Sequence, residues 1–330
     1  MTIVVGIIGC GSIAEHHANG YLAIPDQARV VAVSDVVEEN ARRVSDQVGG
    51  AHMFSDYRAL LAESEIDAVD ICLPHHLHAD AILAAAEAGK HILCEKPLCL
   101  SLDEAGAIRS AIAASGVTLM CAHNQLYLPP VRRAKEMLDS GTLGAIYEIR
   151  TADAFRHRWD MPGATWRSRR ETMGGGELID TGYHPSYLLL YLAGSAAAEV
   201  VAMTSTYRLN IDGEDSAQVL VRFASGAVGN IVTSWAYDPP PGTWTFQVVG
   251  ERGYLYGNNT TFHYRLLGEE PVAIRFDAIN TFSAEVADFV ACLRERRRPI
   301  QTEADGIAVL KVILGAYQSQ AEKRVVSLGE

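Results

Sequence analysis

The sequence predicts a two-part α/β protein, and three features lead to that class. A glycine loop, GCGSIA, follows the first apolar run immediately. Short apolar runs then alternate with helical segments up to about residue 122, and beyond residue 145 longer runs of alternating polarity replace them. Alternating strands and helices build a parallel sheet covered on both faces, whereas long alternating runs joined by tight turns build an antiparallel one. We therefore expect a doubly wound parallel sheet over residues 1–122. Residues 123–330 are expected to form an α+β domain on a large, mostly antiparallel open sheet.

The elements follow in order. TIVVGIIG, RVVAVSD, AVDICLP, KHILCEKP and VTLMCAH are the strands of the first part, continuous in apolar character as burial on both faces requires. EENARRVSDQV and HADAILAAAEAG are helices between them. In the second part, AIYEIRTADAF, EVVAMTSTYRL, SAQVLVRFASGAVGNIVTSWAY, TWTFQVVGERGYLY and TFHYRLL alternate and break at turns such as ASGA and GERG. Two helices close the chain, FSAEVADFVACLRERRR and EADGIAVLKVILGAYQSQA; the basic cluster of the first suits a solvated helix end.

A net charge of −12 argues against nucleic acid and anionic membranes as partners, since both attract basic surfaces. Hydrophobic residues at 48% and charged residues at 21% are the composition of a globular protein. The first basic residue is Arg29, so no basic segment opens a signal peptide, and LLLYLAGSAAAEVVAM is interrupted by Ser195 and Glu199. Cys10, Cys72, Cys94, Cys99, Cys121 and Cys292 show no CxxC spacing; reduced thiols in a cytoplasmic protein are expected.

GCGSIA is a G-x-G-x-x-A loop, in which glycines allow a tight turn and a close approach to pyrophosphate. Gly9, Gly11, Ser12 and Ile13 would cradle that group at the helix N-terminus. The next strand ends in Asp35, placed to accept hydrogen bonds from a ribose diol, and no arginine stands at 36 or 37 to offset a 2′-phosphate. NAD is therefore the expected cofactor, with NADP as the alternative. Lys96 ends the strand KHILCEKP, at the edge where open α/β sheets bind ligands, and can hold a substrate oxygen.

In this order, GCGSIA, Asp35, LPHHLH, GKHILCEKP and GGGELIDTGYH resemble the Gfo/Idh/MocA oxidoreductases, over essentially the whole chain. The resemblance implies a Rossmann domain, then an α+β domain whose sheet forms a homodimer or homotetramer interface. Its activity would be dehydrogenation of sugars, inositols or related polyols. In LPHHLH the chain keeps Pro74 and His78 of the family pattern but has Leu73 and His75 where threonine and asparagine are common, which puts a side-chain contact there in doubt. Leu73, Pro74, His75, His78, Glu95 and Lys96 are the cofactor-side candidates, with Asn124 for the nicotinamide-side ribose. No carboxylate or cysteine joins the three histidines at ligand spacing, so no metal is expected. Leu126 and Tyr127 replace an arginine many relatives carry nearby.

Asp180 and His184 stand four residues apart before a very apolar stretch, a spacing that puts them on one helix face about 5–6 Å apart at Cβ. Gly182 and the preceding GGG are expected to let a ligand approach. Histidine has the resting pKa for taking a hydroxyl proton, and a carboxylate stabilises the imidazolium. The resemblance implies the same set: His184 as general acid/base, Asp180 as its partner, Lys96 as the group positioning the oxygen. Tyr183, about 100° around the helix, is placed at the pocket rim. The segment FRHRWDMPGATWRSRR contributes His157, Trp166 and Arg167 as substrate contacts, with Trp159 as a second ring, against a reading in which its arginines pair with Asp153, Asp160 and Glu171. The rival readings are a non-catalytic sugar or dinucleotide sensor and an NAD-dependent glycoside-cleaving enzyme on this fold.

Overall fold

The computed structural model describes residues 2–157 and 165–329; Trp159 and Asp160 lie outside the described residues. The chain divides into two compact units. The first is residues 1–124 with 280–307, and the second is residues 125–279 with 308–330. A single cut at 122/123 thus assigns 280–307 to the second part, whereas in the fold that segment belongs with the first. The returning helix Thr281–Glu295 packs on the glycine-loop helix Ser12–Leu22, where a Cβ added to Gly20 would overlap Val286.

In the first unit, β1 (Ile3–Ile8), β2 (Ala28–Ser34), β3 (His52–Phe54), β4 (Ala68–Ile71), β5 (His91–Cys94) and β6 (Leu119–Cys121) form one parallel sheet in the order β3-β2-β1-β4-β5-β6. This is the Rossmann order, with its reversal between β1 and β4, where ligands bind beyond the strand ends. The strands are fully buried where the sequence is apolar on both faces: Val5, Ile7, Val69, Ile71, Ile92 and Leu93 are all at 0% exposure. Each such side chain contributes about 1.5–3 kcal/mol by leaving water.

In the second unit, β7 (Ile146–Ala154), β8 (Ala197–Ser205), β9 (Ser216–Phe223), β10 (Val228–Ser234), β11 (Phe246–Gly250), β12 (Gly253–Gly257), β13 (Thr261–Leu266), β14 (Val272–Arg275) and β15 (Val326–Ser327) form a sheet of nine strands. Its pairs are antiparallel except β7 with β10. The helix Tyr183–Ala193 covers one face, and the Thr151 hydroxyl of β7 donates to the Pro185 carbonyl at 2.8 Å. Alternation along β9 turns Val219 and Val221 inward and Gln218, Leu220 and Arg222 outward. No helix among the described residues is long and apolar enough to cross a membrane. All six cysteines are buried and unpaired to one another, as the spacing led us to expect.

Candidate active site

The glycine loop leads from β1 into the helix Ser12–Leu22. Gly9 has a φ of +89°, and a Cβ there would stand 2.6 Å from the Cys72 carbonyl oxygen, so only glycine fits the turn against the end of β4. Gly11 faces the other way: an added Cβ would meet nothing within 4 Å. It is the N-cap of a helix that no side chain caps, and the first-turn N–H groups of such a helix are anion donors. A tight inner glycine, an open outer one and an uncapped helix start fit a dinucleotide pyrophosphate. Asp35 is half-buried beside them, its Oδ2 accepting from Cys10 N–H and its Oδ1 from Val37 N–H, both at 2.8 Å. Those bonds aim the carboxylate and leave it further lone pairs. Sequence reasoning missed Arg43, whose guanidinium donates to the Cys10 carbonyl at 2.8 Å and pairs with Glu15.

Past β4 and β5 the expected cofactor residues take more internal roles. His78 is fully buried, one ring nitrogen 2.8 Å from the Leu73 carbonyl and the other 2.7 Å from the Pro97 carbonyl. It ties the two strand-end loops together, and burial holds its pKa below the ordinary value. His75 is also buried, its ring 6.1 Å from that of His78. Glu95 turns inward: Oε1 meets His17 Nε2 at 3.1 Å and Oε2 accepts from the Lys96 N–H at 3.0 Å. Its carboxylate anchors the loop from within rather than reaching outward. Burial pushes Glu95 up, but His17 and Lys96 outweigh it and hold the carboxyl at about 2. Lys96 is half-buried at the strand end. Asn124 is buried and donates to the Thr281 hydroxyl at 3.3 Å.

In the second unit, Asp180 lies in the turns that precede the helix Tyr183–Ala193, not within it. The same-face argument presumed helix through both residues. Instead Gly182 caps the helix and His184 N–H reaches back to the Thr181 carbonyl at 2.9 Å. Gly175, Gly176 and Gly182 give no room to a ligand, because protein fills it. A Cβ on Gly175 would overlap the Tyr317 ring, one on Gly176 the Glu214 backbone, and one on Gly182 Leu178. They let the Asp180 turn pack onto buried Glu214, which accepts from Leu178 N–H and Tyr317 O–H, each at 2.9 Å. Glu177, buried and held by Thr233, is pushed well above the usual carboxyl range by burial.

Asp180 is buried and accepts from Arg167 Nε at 3.0 Å, and the Arg167 guanidinium lies 4.1 Å over the Trp166 ring. His157 stacks edge-on to Trp235 at 5.5 Å, and Trp235 Nε1–H donates to the Thr181 hydroxyl at 2.9 Å. Burial holds His157 below its ordinary pKa. The fold thus gathers His157, Trp166, Arg167 and Asp180 with two residues that the sequence reading passed over, Trp235 and Thr181. His184 Nδ1 meets the Tyr187 hydroxyl at 2.8 Å, and that oxygen accepts from Gln125 N–H at 3.1 Å. Tyr187 was overlooked because its run reads as core, although a tyrosine three residues after a histidine on a helix is a readable signal. Tyr183 is fully buried rather than at a rim.

Residues 3–123 match the model of an oxidoreductase family with an NAD-binding Rossmann fold, and residues 131–256 match the Gfo/Idh/MocA C-terminal domain. The levoglucosan dehydrogenase of Pseudarthrobacter phenanthrenivorans is 30% identical over 306 residues, which are 83% of this chain and 76% of that enzyme. The chain belongs to the Gfo/Idh/MocA family. It is an oxidoreductase with an NAD-binding Rossmann domain. The myo-inositol 2-dehydrogenase of Thermotoga maritima is 27% identical, over 99% of this chain and 98% of that one. A solved levoglucosan dehydrogenase in complex with NADH and levoglucosan superposes with a TM-score of 0.92 at 25% identity, over 100% of both chains.

Proposed function

We propose that this chain oxidises a secondary hydroxyl of a sugar, cyclitol or sugar derivative with NAD, and runs the reverse reduction. The observation that carries the reading is the His184–Tyr187–Gln125 chain of hydrogen bonds. With Gln125 N–H already on its oxygen, the Tyr187 hydroxyl accepts a second hydrogen bond from Nδ1–H, in the neutral Nδ1–H tautomer and in the charged imidazole alike. The ring is therefore held in one place before and after it takes a proton at Nε2, which is what a general base needs. Gly9, Gly11, Ser12, Ile13 and Asp35 would hold the cofactor, which when bound supplies the hydride acceptor. Lys96 steadies the negative charge on the substrate oxygen as its proton leaves for His184. Asp180 stabilises the imidazolium, and Arg167 fixes Asp180 and contacts the substrate. Trp166, Trp235 and His157 offer ring faces to a sugar.

An absorbance screen at the reduced-nicotinamide band tests this, with inositols, aldoses, uronates and anhydrosugars under both NAD and NADP. Turnover of a polyol is expected, and His184→Ala should lower kcat by about 10²–10⁴. No turnover across the panel, or an unimpaired His184→Ala, would overturn the reading.

The outward face of the nine-stranded sheet supports self-association as part of the same reading. Met203, Leu220, Val249 and Tyr254 are exposed there on β8, β9, β11 and β12, and exposed apolar patches mark interfaces. Light scattering should give a homodimer or homotetramer mass that Leu220→Glu with Met203→Glu reduces to the monomer.

A further inference from the structure

His17 lies on the glycine-loop helix one turn behind the phosphate loop, at 0% exposure, and the dehydrogenase reading above does not use it. Its Nδ1 is 2.9 Å from Asp70 Oδ2 and its Nε2 is 3.1 Å from Glu95 Oε1. A neutral imidazole has one N–H, so two carboxylates on two ring nitrogens call for the doubly protonated ring. The surroundings are otherwise closed. Tyr21 O–H donates to Asp70 at 3.0 Å, Cys72 Sγ lies 3.5 Å from Asp70, the Phe282 ring is 5.7 Å away, and Glu285 on the helix Thr281–Glu295 interacts electrostatically with His17. The other oxygen of Glu95 accepts the backbone N–H of Lys96. A continuous buried path therefore runs from β4 through the helix Ser12–Leu22 to the peptide of Lys96.

We propose that His17 is a positioning residue for Lys96: clamped between Asp70 and Glu95, it fixes the Glu95 carboxylate on the Lys96 amide and so sets where the ammonium stands. The loop is also tied by Glu95 N–H on the Ile71 carbonyl and by His78 on the Pro97 carbonyl, and the carboxylate adds an anchor at the Lys96 amide itself. Broken at His17, the clamp leaves Glu95 a buried charge without its counter-ion, and that carboxylate moves or takes a proton. A displaced carboxylate releases the Lys96 amide, and a protonated one holds it more weakly. A displacement of about 1 Å at a reacting group is enough to cost roughly 10²-fold in rate.

The inference rests on the reading of Lys96 above, and a double-mutant cycle separates the two. His17→Gln should lower kcat by about tenfold, with little change in KM for NAD, while in a Lys96→Met background it should have almost no further effect. A structural role alone would lower kcat alike in both backgrounds and would overturn the proposal. Glu95→Gln runs as a second cycle with the same expectation, and decides the matter if His17→Gln does not fold. The chain has five lysines, Lys90, Lys96, Lys135, Lys311 and Lys323, so selective ¹⁵N-lysine labelling gives five backbone amide signals. The Lys96 signal, assigned by its loss in Lys96→Arg, should move in both variants while those of Lys135, Lys311 and Lys323 stay. An unmoved Lys96 signal overturns the clamp whatever the enzyme assay shows. A Lys96→Met variant with full activity overturns the role of Lys96 instead. Because His17, Asp70 and Cys72 also bring potential ligand atoms within 4.8 Å of one another, metal analysis is included. Equimolar zinc lost in His17→Gln would make the cluster a metal site and end the proposal.

Discussion

His184 shows what a single side chain reveals before and after folding. It stood out as a candidate because a histidine and an aspartate at the head of an apolar stretch demand partners. Arg167 was not legible as the partner of Asp180, since it reaches that carboxylate through turns that no periodicity specifies, whereas Tyr187 lies three residues beyond His184 on one helix and was passed over because its run reads as core. Tyr187→Phe keeps the ring and removes the hydroxyl, so Gln125 N–H and His184 Nδ1 both lose their shared partner, at about 1–3 kcal/mol for a buried group left unsatisfied. We expect kcat to fall about tenfold and its pH profile to shift, since the charged imidazole donates the stronger bond to Tyr187 and loses more than the neutral one. A pH series of kcat on purified variant and parent measures it; an unchanged profile would remove Tyr187 from the proton path. His17 was missed for a different reason. The signal was present, as Asp70 is the one charged residue in the strand AVDI, but nothing in the sequence says which helix meets that face.

Whole elements were read more securely than their ends. Five of the six parallel strands follow from continuous apolar runs, which are local and repeated, whereas the short, largely exposed β3 carries no such run and was passed over. The turn before the helix Tyr183–Ala193 depends on Gly175, Gly176 and Gly182 fitting against Tyr317, Glu214 and Thr233, residues distant in the chain. Hence glycines that looked like open ground are packed, whereas Gly11 is open. The loop after β1 makes the contrast testable. Gly9→Ala forces a side chain into the left-handed region and onto the Cys72 carbonyl, so the loop must shift away from β4. NADH affinity, followed by nicotinamide fluorescence, should fall by at least about tenfold, as expected when a preorganised phosphate loop is distorted. Wild-type affinity would mean that this turn is not the cofactor cradle.

Across the molecule, buried carboxylates set how stability answers to pH. Glu285 is fully buried, neither oxygen has a hydrogen-bond partner, and burial raises its pKa well above the ordinary 4.5. The folded carboxyl stays protonated while the unfolded one ionises, so its contribution to stability is full below pH 4.5 and drains away as pH rises toward the folded pKa. Glu285→Gln removes that titration. Its melting temperature relative to the parent should therefore climb between pH 5 and pH 8; a constant gap would mean that Glu285 is ionised in the fold. What the sequence hid at this scale is the interleaving of the units, because no composition shift marks the return at residue 280. That return has a consequence during synthesis. The ribosome delivers β1 to β6 early, yet Val286, Thr281 and Gln301, which close over Gly20, Asn124 and His123, come more than 150 residues later. The nascent nucleotide-binding half must wait, part-made, while eight of the nine strands of the second sheet are translated, and it is during that delay that chaperones would find it.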